Sequence, residues 1–487
     1  MALRDKVVKG VLWAATKNWG RQAIGFAFFV ILSRLLEPQA FGLVALAALF
    51  IDFIQLFLDF GMGDAIIQRP DLKDEHLDTA FWTGLMIGAL MYLGGFAASP
   101  LIAAYFKEPH LVEVVRWLSA SFLIGSLSVT QIAVLKRKLA FKSLAIRTII
   151  ASIGGGVVGV VMAVYGFGVW SLVGQTLATG AIGAVVLWSV SGWRPGLRFR
   201  ATHFKELFGF GLNIIGINIL EFFNKRTDDF LIGSYLGATL LGYYTVAYKL
   251  LLVMLQLLTG ITTAVAYPAF AKLQANPGKM REAFYKATHY TSLVAFPAFL
   301  GIVALAPEIT LACFGEKWMP SAPVMQILAL AGILHAVSLF NVTVLKATGK
   351  PGWWLRIMFV TAVVNVIGFR LVVNWGIQAV ATAFVVVGYL LSPIAILAVR
   401  KRIGIDVKTY LGKLVVPLIA SLTMAGSVTA LKSVFGDDAN LFLKIGTCAL
   451  AGAVVYLLII QLIARSIFTE MLGYVRSAFP NWKIGKA

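Results

Sequence analysis

The sequence predicts an all-α, polytopic membrane protein of about fourteen transmembrane helices, and three observations carry that prediction. Of 487 residues, 59% are hydrophobic and only 13% are charged, giving a mean hydropathy of +0.86. The apolar residues fall into runs of about 20, the length that crosses a bilayer as a helix. Lysine and arginine collect in every second gap between those runs. A soluble chain of this size could not hide so much apolar surface in one core.

Taken in order, the apolar runs lie near 10–35, 41–66, 79–105, 112–135, 143–165, 167–191, 207–233, 237–266, 284–307, 321–345, 353–374, 376–399, 411–431 and 441–464. The first and seventh are less apolar than the rest. Met1 to Lys9 is basic, but no small-residue cleavage site follows the first run. It is therefore expected to be a retained first span and not a signal peptide.

Fourteen spans return the chain to the side where it began. If that side is the cytoplasm, the inner segments and their edges hold 28 Lys and Arg against 5 outside. This is a strong positive-inside bias, so the expected location is a bacterial inner membrane with both termini cytoplasmic. It also accounts for the net charge of +20 without invoking nucleic acid. Contact with anionic membrane lipids explains most of the inner-loop cations.

Little else in the composition suggests chemistry. Cys313 and Cys448 lie in separate apolar stretches, and His76, His110, His203, His289 and His335 never pair at ligand spacing. There is no phosphate-binding glycine loop, nucleophile elbow or zinc-protease motif. The sequence predicts neither a metal nor a cofactor, and not an enzyme.

The two halves echo each other. At a shift of 200, Leu36, Gly42 and Ala47 fall on Leu236, Gly242 and Ala247, Asn18 on Asn218, and Arg21 on Glu221. Val134-Leu-Lys136 matches Val344-Leu-Lys346, and Gly166 to Val173 resembles Asn374 to Ala381. The order is the same in both halves. This predicts a parallel repeat of two pseudo-symmetric six-helix lobes, 1–191 and 207–399, joined by a cytoplasmic linker at 192–206. Residues 400–487 add a C-terminal hairpin of two spans and a tail.

Some span residues need only packing. Gly84 with Gly88, and Gly155 with Gly159, have the spacing of close helix contacts. Arg116, Arg147, Arg356 and Arg370 lie near span ends, where they are expected to snorkel to the interface. Spans 1, 2, 7 and 8 differ. Lys17, Arg21, Asp52, Asp59, Glu221, Lys225, Arg226, Asp228, Asp229 and Lys249 lie away from the ends. Each would cost roughly 2.5–3.5 kcal/mol at the centre of a lipid-facing helix. They must face protein or a watery cavity.

Spacing supports that. Lys17 and Arg21 are one turn apart. Asp52, Gln55 and Asp59 share a face, as do Asn218, Glu221, Lys225 and Asp228. Depth matching sets Lys17 opposite Asp59 and Arg21 opposite Asp52. Along span 7, Glu221 can pair with Lys225, and Lys225 with Asp229. The residues leave two readings open, structural ion pairs or a polar cavity for an anionic headgroup. The cavity candidates are Lys17, Asn18, Arg21, Asn218, Glu221, Lys225, Arg226 and Lys249. Those for coupling or ion pairing are Asp52, Asp59, Asp228 and Asp229.

Several segments resemble the polysaccharide-transporter flippases, the Wzx and WzxC-like family within the multidrug/oligosaccharidyl-lipid/polysaccharide exporters. They are Leu32 to Leu43, Asp59 to Gln68, Thr79-Ala-Phe-Trp82, Leu139-Ala-Phe-Lys142, Gly166-Phe-Gly-Val-Trp170 and Leu240-Leu-Gly-Tyr-Tyr244. The likeness covers at least residues 5–400 and is specific in combination. It implies a two-lobed fold with a central cavity and alternating access. The implied cargo is an isoprenoid-pyrophosphate-linked oligosaccharide, moved from the cytoplasmic to the periplasmic leaflet for exopolysaccharide, capsule or lipopolysaccharide synthesis. Implied partners are a polysaccharide polymerase and chain-length or export machinery. Family members are thought to hold the pyrophosphate with basic cavity residues. Arg21, Lys17, Lys225, Arg226 and Lys249 match by chemistry, not by a strict motif. Two other classes stay in view. A cation-coupled multidrug antiporter could use Asp52, Asp59 and Glu221. A membrane polymerase or ligase would need a large outer loop, and every outer loop here is short.

Overall fold

The computed structural model describes residues 20–56, 62–69, 71–349, 351–435 and 440–465. Among them there are helices and turns and no strand. In lipid a helix satisfies its own backbone, which is why an apolar chain of this kind folds as helices. The first, α1, covers 20–35. Then follow α2 (Pro38–Gln55), α3 (Met62–Gln68), α4 (Asp74–Phe106), α5 (Leu111–Arg137), α6 (Phe141–Val164) and α7 (Val169–Val190). The rest are α8 (Ala201–Lys272), α9 (Pro277–Cys313), α10 (Ser321–Ala347), α11 (Pro351–Val372), α12 (Ile377–Ile403), α13 (Val407–Val434) and α14 (Leu441–Ile463).

Among the described residues, twelve helices are long and apolar enough to cross a membrane, and one of these is the 218–258 stretch of α8. At Gly237 that helix breaks, with φ 84° and ψ 176°, a conformation that favours glycine. The sequence count of about fourteen treats the two sides of Gly237 as separate spans and includes the one that begins before residue 20. The chain is a multi-pass membrane protein. Side chains such as Leu101, Val185, Leu371, Leu390 and Leu450 stand exposed on its helices, where a bilayer would cover them. The second expected span is not one helix. α2 stops at Gln55 and α3 resumes at Met62, held at its far end by Arg137, whose guanidinium donates to the carbonyls of Ile66 (2.9 Å) and Arg69.

Two compact units emerge. The first comprises Met1–Lys249 with Met358–Phe384. Inside it α4 packs on α5, α6 on α7, and α5 on α7 and α2. The glycine pairs explain part of this. A Cβ on Gly88 would press the backbone of Phe122, and one on Gly159 would press Gln175. One on Gly155 would collide with Thr179. Gly84, by contrast, has open space beside it. The connection after α7 is tied to α4. Trp82 Nε1 donates to the Gly196 carbonyl (2.8 Å), and the buried Asp78 accepts from Gly196 N (2.9 Å).

The second unit comprises Leu250–Ile357 with Val385–Ala487. Here α9 packs on α10, α13 and α14. Phe270, Met280, Phe284, Phe340, Val344 and Val399 form an apolar cluster within it. Glu308 of α9 is buried and accepts from Lys432 Nζ of α13 (3.2 Å). Asp406 caps α13, accepting from Thr409 N (2.9 Å) and Oγ1 (2.7 Å), which holds its carboxyl below the usual carboxylate range.

Candidate functional site

Inside the first unit, α1, α6, α7 and α8 enclose a cavity of about 380 Å³. Three cations line it, Arg21, Arg147 and Lys249, together with Gln22, Thr148, Ser152 and Thr179. Among the described residues, no carboxylate is on its wall. At 1.5 Å per residue, Arg21 lies about 22 Å along α1 from Leu36, and Lys249 about 18 Å along α8 from Gly237. Both are therefore deep in the apolar layer, not at its rim.

Local structure fixes two of the three cations. Lys249 lies 5.7 Å from the Phe29 ring centroid. Arg147 donates from Nε to the Gly183 carbonyl (3.2 Å). Its guanidinium rests where a Cβ on Gly183 would stand, 2.7 Å from Nη2. Arginine is thus laid along α7 because residue 183 has no side chain. Arg147 was expected to snorkel; six residues into α6, it turns into this cavity instead. Three like charges in a low-dielectric cleft repel one another, and an anion relieves that repulsion. Guanidinium groups also bind phosphate oxygens bidentately.

The other described charges of α2 and α8 already have partners. Lys225 pairs with Glu221 (3.2 Å), as their spacing predicted. Arg226 spans two acids, with Nη1 2.9 Å from Asp229 and Nη2 on Asp52. Two expected pairings are therefore corrected. Asp52 meets Arg226 and not Arg21, and Asp229 meets Arg226 and not Lys225. Depth matching gives height in the membrane but not direction around the helix, and Asp52 faces α8. Asp228 is buried and accepts from the Tyr244 hydroxyl (2.7 Å) and from Asp229 N (3.0 Å). Tyr244 in turn stacks on Tyr248 at 6.0 Å, next in sequence to Lys249. Asn218 is half-buried on α8. Lys17, Asn18 and Asp59 lie outside the described residues, and with them the expected Lys17–Asp59 pair.

The 200-residue echo has a physical counterpart beside this cluster. A Cβ on Gly42 would strike the Ala238 backbone, and one on Gly242 would strike the Pro38 backbone. The two contacts exchange residues 38 and 42 for 238 and 242. The repeat therefore preserves one reciprocal helix crossing, at which neither glycine has room for a side chain.

Among known proteins, the family model described as "Polysaccharide biosynthesis protein" matches residues 31–323. Teichuronic acid biosynthesis protein TuaB of Bacillus subtilis is 29% identical over 72% of this chain and 73% of its own length. Lipopolysaccharide biosynthesis protein WzxC of Escherichia coli is 29% identical over 69% of each. Succinoglycan biosynthesis transport protein ExoT of Rhizobium meliloti is 27% identical over 98% of this chain and 97% of its own. In three dimensions the chain is similar to the lipid II flippase MurJ in an inward closed conformation. The TM-score is 0.79 at 14% identity, covering 94% of this chain and 99% of that one. An inward-facing multidrug resistance transporter of the MATE family gives 0.63 at 17% identity, over 79% and 94%.

Proposed function

The chain belongs to the polysaccharide biosynthesis protein family, and from that premise we propose how it works and on what. It is a flippase for isoprenoid-pyrophosphate-linked oligosaccharide repeat units, serving polysaccharide synthesis. The observation that carries this reading is the cavity of Arg21, Arg147 and Lys249, with no carboxylate on its wall among the described residues. A pyrophosphate cannot cross hydrocarbon unpaired, so a carrier must offer cations at depth. The Ser152 hydroxyl supplies a neutral donor beside them, whereas those of Thr148 and Thr179 donate to the Leu144 and Gln175 carbonyls of their own helices. The same charge balance argues against organic cations, and so against a multidrug antiporter. Lys225 and Arg226, spent on carboxylates, act as structural cations.

In this reading the protein sits in the inner membrane with both termini cytoplasmic, as the 28-to-5 distribution of basic residues supports. Residues 1–191 and 207–399 act as two lobes, which is what the repeat supports, with 192–206 as their linker. The oligosaccharide released outside passes to a polymerase and export machinery. Transport draws on an ion gradient or on consumption of the product, and Asp228 and Asp229 are the candidate coupling groups.

The test is surface polysaccharide in a deletion strain complemented with Arg21→Ala, Arg21→Lys or wild type at equal protein abundance. Arg21→Ala is expected to abolish export, with lipid-linked repeat units building up on the cytoplasmic face. Arg21→Lys is expected to recover part of it, because lysine offers a point charge and not a fork. Full export by Arg21→Ala would remove the pyrophosphate from this cavity.

A further inference from the structure

A second and larger cavity, about 920 Å³, lies between α4, α5, α6 and α7 of the first unit, apart from the three-cation cavity. Its wall is mainly apolar and includes Tyr92, Phe96, Trp117 and Trp170, with two charged groups, Glu113 and Arg116. These two sit one turn apart on α5, at i and i+3, so they project from one face.

Arg116 does not reach for water as a snorkelling arginine does. Its guanidinium lies over the Phe96 ring, 4.4 Å from the centroid. Its Nε donates to Ser99 Oγ (3.1 Å), and the buried Ser99 sends its own proton to the Phe96 carbonyl (2.8 Å). The guanidinium is thus oriented by one ring and one hydrogen bond. Among the described residues, Nη1 and Nη2 have no acceptor, no carboxylate pairs with Arg116, and no cation pairs with Glu113. Arg116 is half-buried and Glu113 exposed at the edge of the groove, so an oriented guanidinium and a carboxylate both stand open to a ligand there. A ligand carrying an anion and a cation side by side satisfies both.

Depth selects the kind of ligand. Arg116 lies about 8 Å along α5 from its first residue, Leu111. That end holds the turns at Lys107 and Gly166, which the basic-residue bias assigns to the outer face. Trp and Tyr at that level mark the headgroup region of a bilayer. An amphiphile is therefore required, with hydrocarbon for the aromatic wall and a zwitterion for the pair. We propose that this groove binds a phospholipid of the outer leaflet with an ethanolamine headgroup. Its phosphodiester meets the Nη edge of Arg116, and its primary ammonium donates to Glu113. Phosphatidylglycerol offers the phosphate without the cation. An isoprenoid pyrophosphate lacks the amine, so the site is distinct from that of the cargo and does not rest on the proposed transport function.

Native mass spectrometry of the purified, delipidated full chain tests this, with phosphatidylethanolamine and phosphatidylglycerol of identical acyl chains as probes. Wild type should retain phosphatidylethanolamine about tenfold over phosphatidylglycerol, the worth of one charge-assisted hydrogen bond. Glu113→Gln should bring that ratio to about one while leaving phosphatidylglycerol retention unchanged. Arg116→Gln should lower retention of both lipids. Melting temperature in lipid-free detergent reports whether each variant is folded, and if Arg116→Gln is not, Glu113→Gln decides alone. Equal retention of the two lipids by wild type, or a preference that survives Glu113→Gln, would overturn the proposal.

Discussion

Arg147 separates what a single sequence reveals at the scale of a residue from what it conceals. Arg21 and Lys249 announce themselves, because a charge far from either end of an apolar run has no cheap explanation. Arg147 has one, since it lies near a span end and could reach the interface. Its true neighbour is Gly183, 36 residues on, and only the packing of α6 on α7 brings them together. The available signal was the pair Gly180 and Gly183 on α7, both beside the cavity. We expect Arg147→Ala to cut polysaccharide export roughly tenfold or more at unchanged protein level, the scale of one charge-assisted hydrogen bond lost. Gly183→Val should do the same by displacing the guanidinium, without altering any charge. Export at the wild-type rate in both variants would return Arg147 to a structural role. The matched charges behave differently. Tyr244→Phe leaves buried Asp228 with one donor fewer and should lower stability by about 1–3 kcal/mol, read as an earlier melting transition in detergent. An unchanged transition would mean that Asp228 finds another donor.

Elements were more legible than pairings. Hydropathy placed the spans because a helix in lipid must be apolar over its whole length. Its failures have local causes. The second span reads as continuous because Leu56 to Leu58 are as apolar as their neighbours, yet α2 ends at Gln55. The long α8 shows the reverse, since Gly237 breaks what the backbone otherwise continues. Gly42 and Gly242 were visible as echoes, though not as mutual contacts. A leucine at either position collides with backbone, which has no rotamer to yield. Gly42→Leu and Gly242→Leu should each reduce the amount of folded protein in the membrane, whereas Gly84→Leu, which faces open space, should not. Equal tolerance at all three positions would mean that the crossing is looser than described. The Thr79 to Trp82 segment gains a purpose as well, because Trp82 and Asp78 strap the 192–200 connection to α4. Trp82→Phe removes one strap and should speed tryptic cleavage at Arg194, Arg198 and Arg200. Cleavage at the wild-type rate would place the strength of the tie in Asp78 alone.

For the whole molecule, composition and charge distribution said most. A mean hydropathy of +0.86 forces a membrane, and the distribution of basic residues sets the expected orientation. Those inferences rest on bulk solvation, which sums over many residues and tolerates local error. The cargo rests on three side chains, where one misassigned contact matters. In the proposed mechanism, Arg21, Arg147 and Lys249 together carry a pyrophosphate headgroup across the membrane. The most direct measurement is flipping itself, in proteoliposomes holding the purified chain and a fluorescent isoprenoid-pyrophosphate-linked oligosaccharide on one leaflet. Movement is read by the fraction that becomes accessible to a glycosidase on the opposite side. On this mechanism, movement is rapid with wild type and falls to background rates with Arg21→Ala and Lys249→Ala reconstituted at equal density. Movement at the wild-type rate in both variants would contradict it.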